Sequence, residues 1–246
     1  MTAEYIVLRL DAPLMSFGAV RVDARGPTLE FPPVSLLAGL LGNALGYERR
    51  APEALDRLQR RMRYAARCDR PGVRLTDFQT VDITLPGMVQ GWTTRGAPEG
   101  RGGGSETRSN LHIRTRDYWA DAVYTVALAL DPADEQPDLG ALERALREPE
   151  RPLFIGRKAC VPSSPLVVGR TSAGSLAEAL AQVPRPPGRG PARGPLRAWL
   201  PEDEQPVAAS RAIAVVDQRD WANDIVVGRR IVLETTVCPP EVTDGR

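Results

Sequence analysis

His112, the one histidine among 246 residues, sits in Leu111-His112-Ile113-Arg114-Thr115-Arg116, where apolar and polar residues alternate. Alternation of period two reads as a β-strand whose residues two apart share a face. His112, Arg114 and Arg116 therefore line one side together, with Arg108 and Asn110 immediately before them. Guanidinium and imidazole groups in such a row suit phosphate contacts and stacking on unpaired bases. A solvated polar face opposite Leu111 and Ile113 explains the same pattern. A second cationic group is Gly156-Arg157-Lys158, in which a backbone free to approach a phosphate precedes two cations; a turn with solvated charges is the plainer reading. The lone histidine excludes H-E-x-x-H zinc proteases, poly-histidine centres and any mechanism that needs two imidazoles. Cys68, Cys160 and Cys238 are odd in number, far apart and never in a C-x-x-C pair. They read as buried thiols, not as a disulfide framework or a zinc site, and neither metal nor other cofactor is expected.

The elements that must position these groups follow from hydrophobic pattern and punctuation. The chain is 42% hydrophobic and 26% charged, enough for a real core in one large or two small domains. With 32 basic against 31 acidic residues it has no global field to draw it onto nucleic acid, so binding must come from locally clustered charge. Lys158 is the only lysine; the arginine-rich remainder suits phosphate recognition and equally reflects a GC-rich coding bias. No stretch approaches the roughly 18 apolar residues of a membrane span, and Met1 to Leu10 does not read as a signal peptide, so a cytoplasmic protein without membrane contact is expected. Tyr5 to Leu10 reads as a central strand, and Leu36 to Leu45 as a helix with Ser35 as N-cap. Gly39, Gly42 and Gly46 fall along that helix, but no G-K-[ST] follows to make a phosphate loop. Pro52 to Ala66 reads as a second helix with Arg57, Arg60, Arg61 and Arg63 on a solvated face. The β-prone Leu75 to Leu85 leads into the glycine-rich Gly87 to Asn110, and order resumes at Leu111, so residues 81–116 read as a long hairpin. A strand from Ala122 to Leu130, helices over 138–147 and 175–183, a flexible surface loop over 184–198, and strands over 212–216 and 225–237 complete the chain. The order predicts one α+β, ferredoxin-like unit over 1–246 with a projecting β-hairpin and a β-rich C-terminal part.

Several collinear motifs then resemble a known family. They are Leu14-Met15-Ser16-Phe17-Gly18, Phe31-Pro32-Pro33-Val34-Ser35 and the helix after it, Asp77-Phe78-Gln79-Thr80-Val81, Thr115-Arg116-Asp117-Tyr118, and Pro152-Leu153-Phe154-Ile155-Gly156-Arg157-Lys158-Ala159-Cys160. Together they resemble the CasD family, the fifth Cas proteins of type I-E CRISPR interference complexes (Cascade), within the RAMP superfamily. The resemblance implies a ferredoxin-like (RAMP/RRM-like) fold with a β-hairpin thumb. It also implies a non-catalytic subunit that grips the 5′ handle of the CRISPR RNA, contacts the CasC backbone subunit through its thumb, and helps seat the large CasA subunit, so that target DNA is met only through the complex. On it, Phe17 gains a base-stacking role beside its plain reading as a core residue. Arg108, Asn110, His112, Arg114, Arg116, Arg157 and Lys158 become RNA-binding candidates. The loop before the Phe31-Pro32 step, Arg25 to Glu30, is less basic than in the relatives, and Glu30 and Val34 stand where cations are expected, which leaves Arg25 as the substitute.

Two other functions stay open. A related subunit of type I-C systems is a metal-independent endoribonuclease using a tyrosine, a lysine and a histidine, for which Tyr47 and His112 are the counterparts here. The lysine is missing, since Leu111 precedes His112. A free-standing RNA-binding module is disfavoured by the near-zero net charge.

Overall fold

The apolar run that opens the chain becomes a strand with hydrogen-bonded neighbours on both edges and helices over both faces. The computed structural model describes residues 2–20, 24–82, 90–92, 98–100, 111–188, 194–204 and 208–240. In chain order the elements are β1 (Ala3–Asp11), β2 (Leu14–Met15), β3 (Arg25–Gly26), α1 (Val34–Ala44), α2 (Pro52–Arg61), β4 (Met62–Arg70), β5 (Val73–Asp82), β6 (Gln90–Trp92), β7 (Pro98–Gly100), β8 (Leu111–Ala120) and β9 (Val123–Leu130). Then come α3 (Leu139–Arg147), β10 (Val167–Ala173), α4 (Leu176–Gln182), β11 (Leu196–Pro201), β12 (Arg211–Val215), β13 (Gln218–Asp220), β14 (Ile225–Val227) and β15 (Arg230–Val237).

The main sheet is antiparallel, with the order β10-β1-β9-β4-β11-β15-β12. Alternation along its strands sorts the core into two layers. Ile6, Leu8 and Leu10 join Tyr124, Val126 and Leu128 under Leu37 and Leu41 of α1 and Leu142 and Leu146 of α3. On the other face Tyr5, Ala65, Ala127 and Ala198 meet Leu176, Ala179 and Leu180 of α4, the small alanines letting that short helix lie close. A second sheet is built on β8, which pairs with β5 from Val73↔Ala120 to Asp82↔Leu111. Elsewhere β8 also takes β2 antiparallel and β3 parallel.

Local chemistry explains where elements begin. Asp138 and Ser175 cap α3 and α4, accepting from the N–H groups of Ala141 and Glu178. The expected Ser35 cap is corrected: α1 starts at Val34 behind Pro33, which offers no side-chain oxygen. Asp217, distant in sequence, supplies it instead, its Oδ2 accepting from the Val34 N–H at 3.1 Å while its carbonyl accepts from Ser35.

The second helix is corrected too. It ends at Arg61, and Met62 turns into β4, so Arg63 belongs to a strand. Nor is Arg61 solvated: its buried guanidinium donates to the carbonyls of Pro132 (2.7 Å), Glu135 (2.6 Å) and Pro137 (3.1 Å). Cys238 is exposed, unlike Cys68 and Cys160. In the loop expected over 184–198, Arg185 is buried and β11 begins at Leu196, while 189–193 lie outside the described residues.

Candidate nucleic-acid interface

Strict pairing of β8 with β5 divides its side chains between two faces. Arg114, Arg116 and Tyr118 share one; Thr115, Asp117 and Trp119 share the other, beside Arg74, Thr76 and Phe78 of β5. His112 stands opposite Val81 in the register, and its side chain lies outside the described residues. Arg108 and Asn110 lie outside the described residues.

Asp117 anchors the root of this ribbon. Its fully buried carboxylate accepts from Thr76 Oγ1 at 2.7 Å and from Arg74 Nη2 at 2.5 Å, with Arg25 Nη2 at 3.6 Å. Burial alone would push this carboxyl up, but Arg74, Thr76 and Arg25 outweigh it and hold it below the usual carboxylate range. Arg25 and Arg74 remain 65% and 48% exposed, so one buried acid fixes two cations that still face solvent.

Arg157 is more deeply committed. Its guanidinium donates to the carbonyls of Asp117 and Gly26, both at 2.9 Å, and lies over the Tyr118 ring, 4.6 Å from its centroid. A Cβ on Gly26 would come within 2.8 Å of Arg157 Nη2, so β3 passes this arginine as bare backbone. Gly156 is also explained by packing: at φ +96° its Cβ would stand 1.7 Å from the Ser16 carbonyl oxygen. Lys158 is exposed.

Phe17 is 2% exposed and meets Tyr124 edge-on, with ring centroids 5.0 Å apart, which is its plain reading as a core residue. Tyr47 packs against the core after α1, and burial pushes its phenol up, with Arg61 pulling the other way. A raised pKa is the wrong direction for a base drawing a proton from a 2′-hydroxyl near neutrality. Among the described residues no group of three or more His, Cys, Asp or Glu is placed to hold a metal. Nor is any helix there long and apolar enough to cross a membrane.

Beyond Arg157 opens a groove of about 510 Å³. Ser35, Leu36, Gly39, Leu40 and Asn43 of α1 form one wall, the turns through Phe17–Ala19 and Phe154–Arg157 a second, and Arg219, Trp221 and Val226 on or beside the β13–β14 hairpin a third. Sequence reading missed Asp117 and Tyr118 as organisers, although both stand in a quoted motif. It gave no role to Arg74, Arg219 or Trp221, whose relation to the site depends on pairings between distant segments.

Comparison with known proteins agrees with this architecture. The family model described as CRISPR-associated protein (Cas_Cas5) matches residues 5–233. The chain is 34% identical over 178 residues to the CRISPR system Cascade subunit CasD of Escherichia coli (strain K12), covering 72% of this chain and 75% of that protein. Among solved structures, a chain of a CRISPR RNA-guided surveillance complex is similar at TM-score 0.69 and 27% identity, over 96% of this chain and 91% of that one. A Cas protein crystal structure is similar at TM-score 0.64 and 27% identity, over 96% and 98%. On a match that spans both sheets and the groove, the chain belongs to the CRISPR-associated Cas5 protein family.

Proposed function

We propose that this chain is a non-catalytic subunit of a type I-E Cascade that binds the 5′ handle of the CRISPR RNA. The observation that carries the reading is the face shared by Arg114 and Arg116 on β8, which runs down to Arg157, next in sequence to the exposed Lys158. A single-stranded handle needs such a track of cations for its phosphates, and guanidinium planes on which splayed bases stack. Arg25 and Arg74, fixed on Asp117, add charge on the opposite side of the same ribbon. His112, Arg108 and Asn110 stay with the proposal by sequence alone. Arg157 acts as a positioning residue at the root, since its contacts tie β3 to β8.

The fold supports the reading. Within the main sheet, β1, β4, β9 and β10 with their crossover helices run β-α-β-β-α-β and lie in the order 4-1-3-2, the arrangement of a ferredoxin-like unit. On this reading the β5–β8 ribbon is the thumb. Its Asp117 face carries Phe78, 62% exposed, with Ile113 exposed diagonally opposite. On the proposed reading the CasC backbone subunit docks on this face, where the exposed apolar side chains suit a protein contact, and the CasA large subunit is a further neighbour in the complex.

The ribonuclease reading is tested directly. A 5′-labelled intact repeat RNA incubated with the full chain in EDTA should stay uncut, and His112→Ala should leave the gel unchanged. A discrete cut abolished by His112→Ala would make this a processing enzyme.

A further inference from the structure

A second cavity, of about 520 Å³, lies at the end of the main sheet away from the β5–β8 ribbon. β4 passes it at Arg63 and leads into the ribbon only after Arg70, roughly 20 Å further on. Tyr5 of β1, Arg63 and the end of β9 meet there with the start of α4 and the turn after β11. Its charge is the reverse of the ribbon's. Among the described residues, Asp131, Asp203 and Glu204 line it against a single cation, Arg63.

Two buried polar groups in this cavity are incompletely matched. Glu204 and Tyr5 are each only 6% exposed. A glutamate at such depth ordinarily has a charge partner. Among the described residues Glu204 forms no ion pair, and its carboxylate accepts from one donor, the Ala177 N–H at 3.2 Å. The Tyr5 ring packs in the core under α4, while its hydroxyl makes no hydrogen bond to a described residue. Burial pushes this phenol up, and Glu204 raises it further against the pull of Arg63, so hydroxyl and carboxylate feel one another across the same space. Arg63 does not answer the excess. It donates to Asp203 at 2.5 Å, and with side chains 40% and 59% exposed that pair is screened by solvent. Asp131 forms no ion pair with a described residue. The carboxylates are too dispersed to share a metal ion, and the small side chains of Ala3, Ala129 and Ala133 lie among them. Such a lining suits a narrow alkyl chain that ends in a cation.

We propose that this cavity binds an alkylammonium or alkylguanidinium group, whose cationic head donates to the Glu204 carboxylate and the Tyr5 hydroxyl oxygen while its stem lies along the alanines toward Asp131 and Asp203. The head supplies the charge that Glu204 lacks. A nucleic-acid phosphate is repelled by the same carboxylates, so the site is separate from the proposed RNA track and stands or falls independently of it. Two sources present this chemistry: a free polyamine-type cation, and an arginine or lysine side chain of a neighbouring protein.

Agmatine, which carries a guanidinium and an ammonium on one butyl chain, is the probe, titrated into the full chain by calorimetry. It should bind, and Glu204→Gln should weaken it about tenfold or more, the worth of a hydrogen bond to a charged group. Tyr5→Phe removes only the hydroxyl and should weaken it about threefold. Ala3→Arg, placed at an exposed strand end, offers the cavity a tethered guanidinium and should block agmatine without cutting into the core. Absence of binding, or binding that Glu204→Gln and Tyr5→Phe leave unchanged, would overturn the inference. If those two variants fail to fold, Ala3→Arg decides, and agmatine affinity unaltered by it would overturn the inference as well. The assembled complex separates the sources. Agmatine held there as tightly as by the free chain identifies a free cation; agmatine excluded there identifies a neighbour's basic side chain, which a photo-crosslinker at position 133 should capture.

Discussion

Arg67 lies in the middle of β4 with its guanidinium sealed from solvent. It is bonded to Asp69 at 2.7–2.8 Å, to the carbonyl of Val183 at 2.8 Å and to that of Leu180. Asp69 in turn accepts from Thr125. Deleting one partner of a buried pair strands the other charge, so Arg67→Ala should cost about 3–5 kcal/mol in urea unfolding. Arg67→Met combined with Asp69→Leu should recover part of that loss, because neither member of the pair is left as an uncompensated charge. At Asp117 the sign of the pH dependence is fixed by a folded pKa below the unfolded value. Its contribution is complete above the unfolded value near ~4 and drains away as pH falls through the folded one. Asp117→Asn should therefore lower stability at pH 7 by about 1–3 kcal/mol, the loss of its charged hydrogen bonds, and the gap to the parent should close in strongly acidic urea titrations. Burial pushes the Cys68 thiol up to about 11 and raises Cys160 as well. A thiol reagent at neutral pH should label Cys238 in the folded protein and the other two only after denaturation.

Helices α3 and α4 were legible from the sequence because each begins on its own capping side chain and presents leucines at helical spacing. β4 was not. Arg67 and Asp69 occupy buried positions of a strand covered on both faces, so the polar residues that normally mark a solvent face mark an internal network here. The start of α1 was hidden for another reason: its capping carboxylate belongs to Asp217, and no local pattern reports a partner so far along the chain. The same separation concealed the groove, while the arginine face of β8 was visible because it depends only on alternation. Asp217→Ala removes that cap and leaves the mostly buried Arg230 without its carboxylate. The loss should exceed the ~1 kcal/mol of an ordinary capping residue and approach the ~3 kcal/mol of a broken buried pair, measured by chemical denaturation.

For the whole molecule, with a formal net charge of +1, the proposed RNA binding would draw on the placement of charge, not on its total. Handle binding should weaken steeply with salt, by a slope near ~0.7 per neutralised phosphate on a single strand. Arg114→Ala and Arg116→Ala should each reduce that slope. Arg157→Ala should lower the thermal midpoint as well, because its guanidinium joins Gly26 to Asp117.

The Asp217 cap has one more consequence, in time. Val34 waits for a carboxylate 183 residues further on. At elongation speeds of about 5–20 residues per second, the ribosome needs roughly 10–40 s to deliver it. Until then α1 emerges with an unfinished first turn, and the groove lacks its hairpin wall. A chain released early, before Asp217 and Arg230, would carry the arginine strand without a finished α1. The first turn of α1 is thus completed only once the segment carrying Asp217 has been made, which ties the finished helix to synthesis of the strands that follow β11.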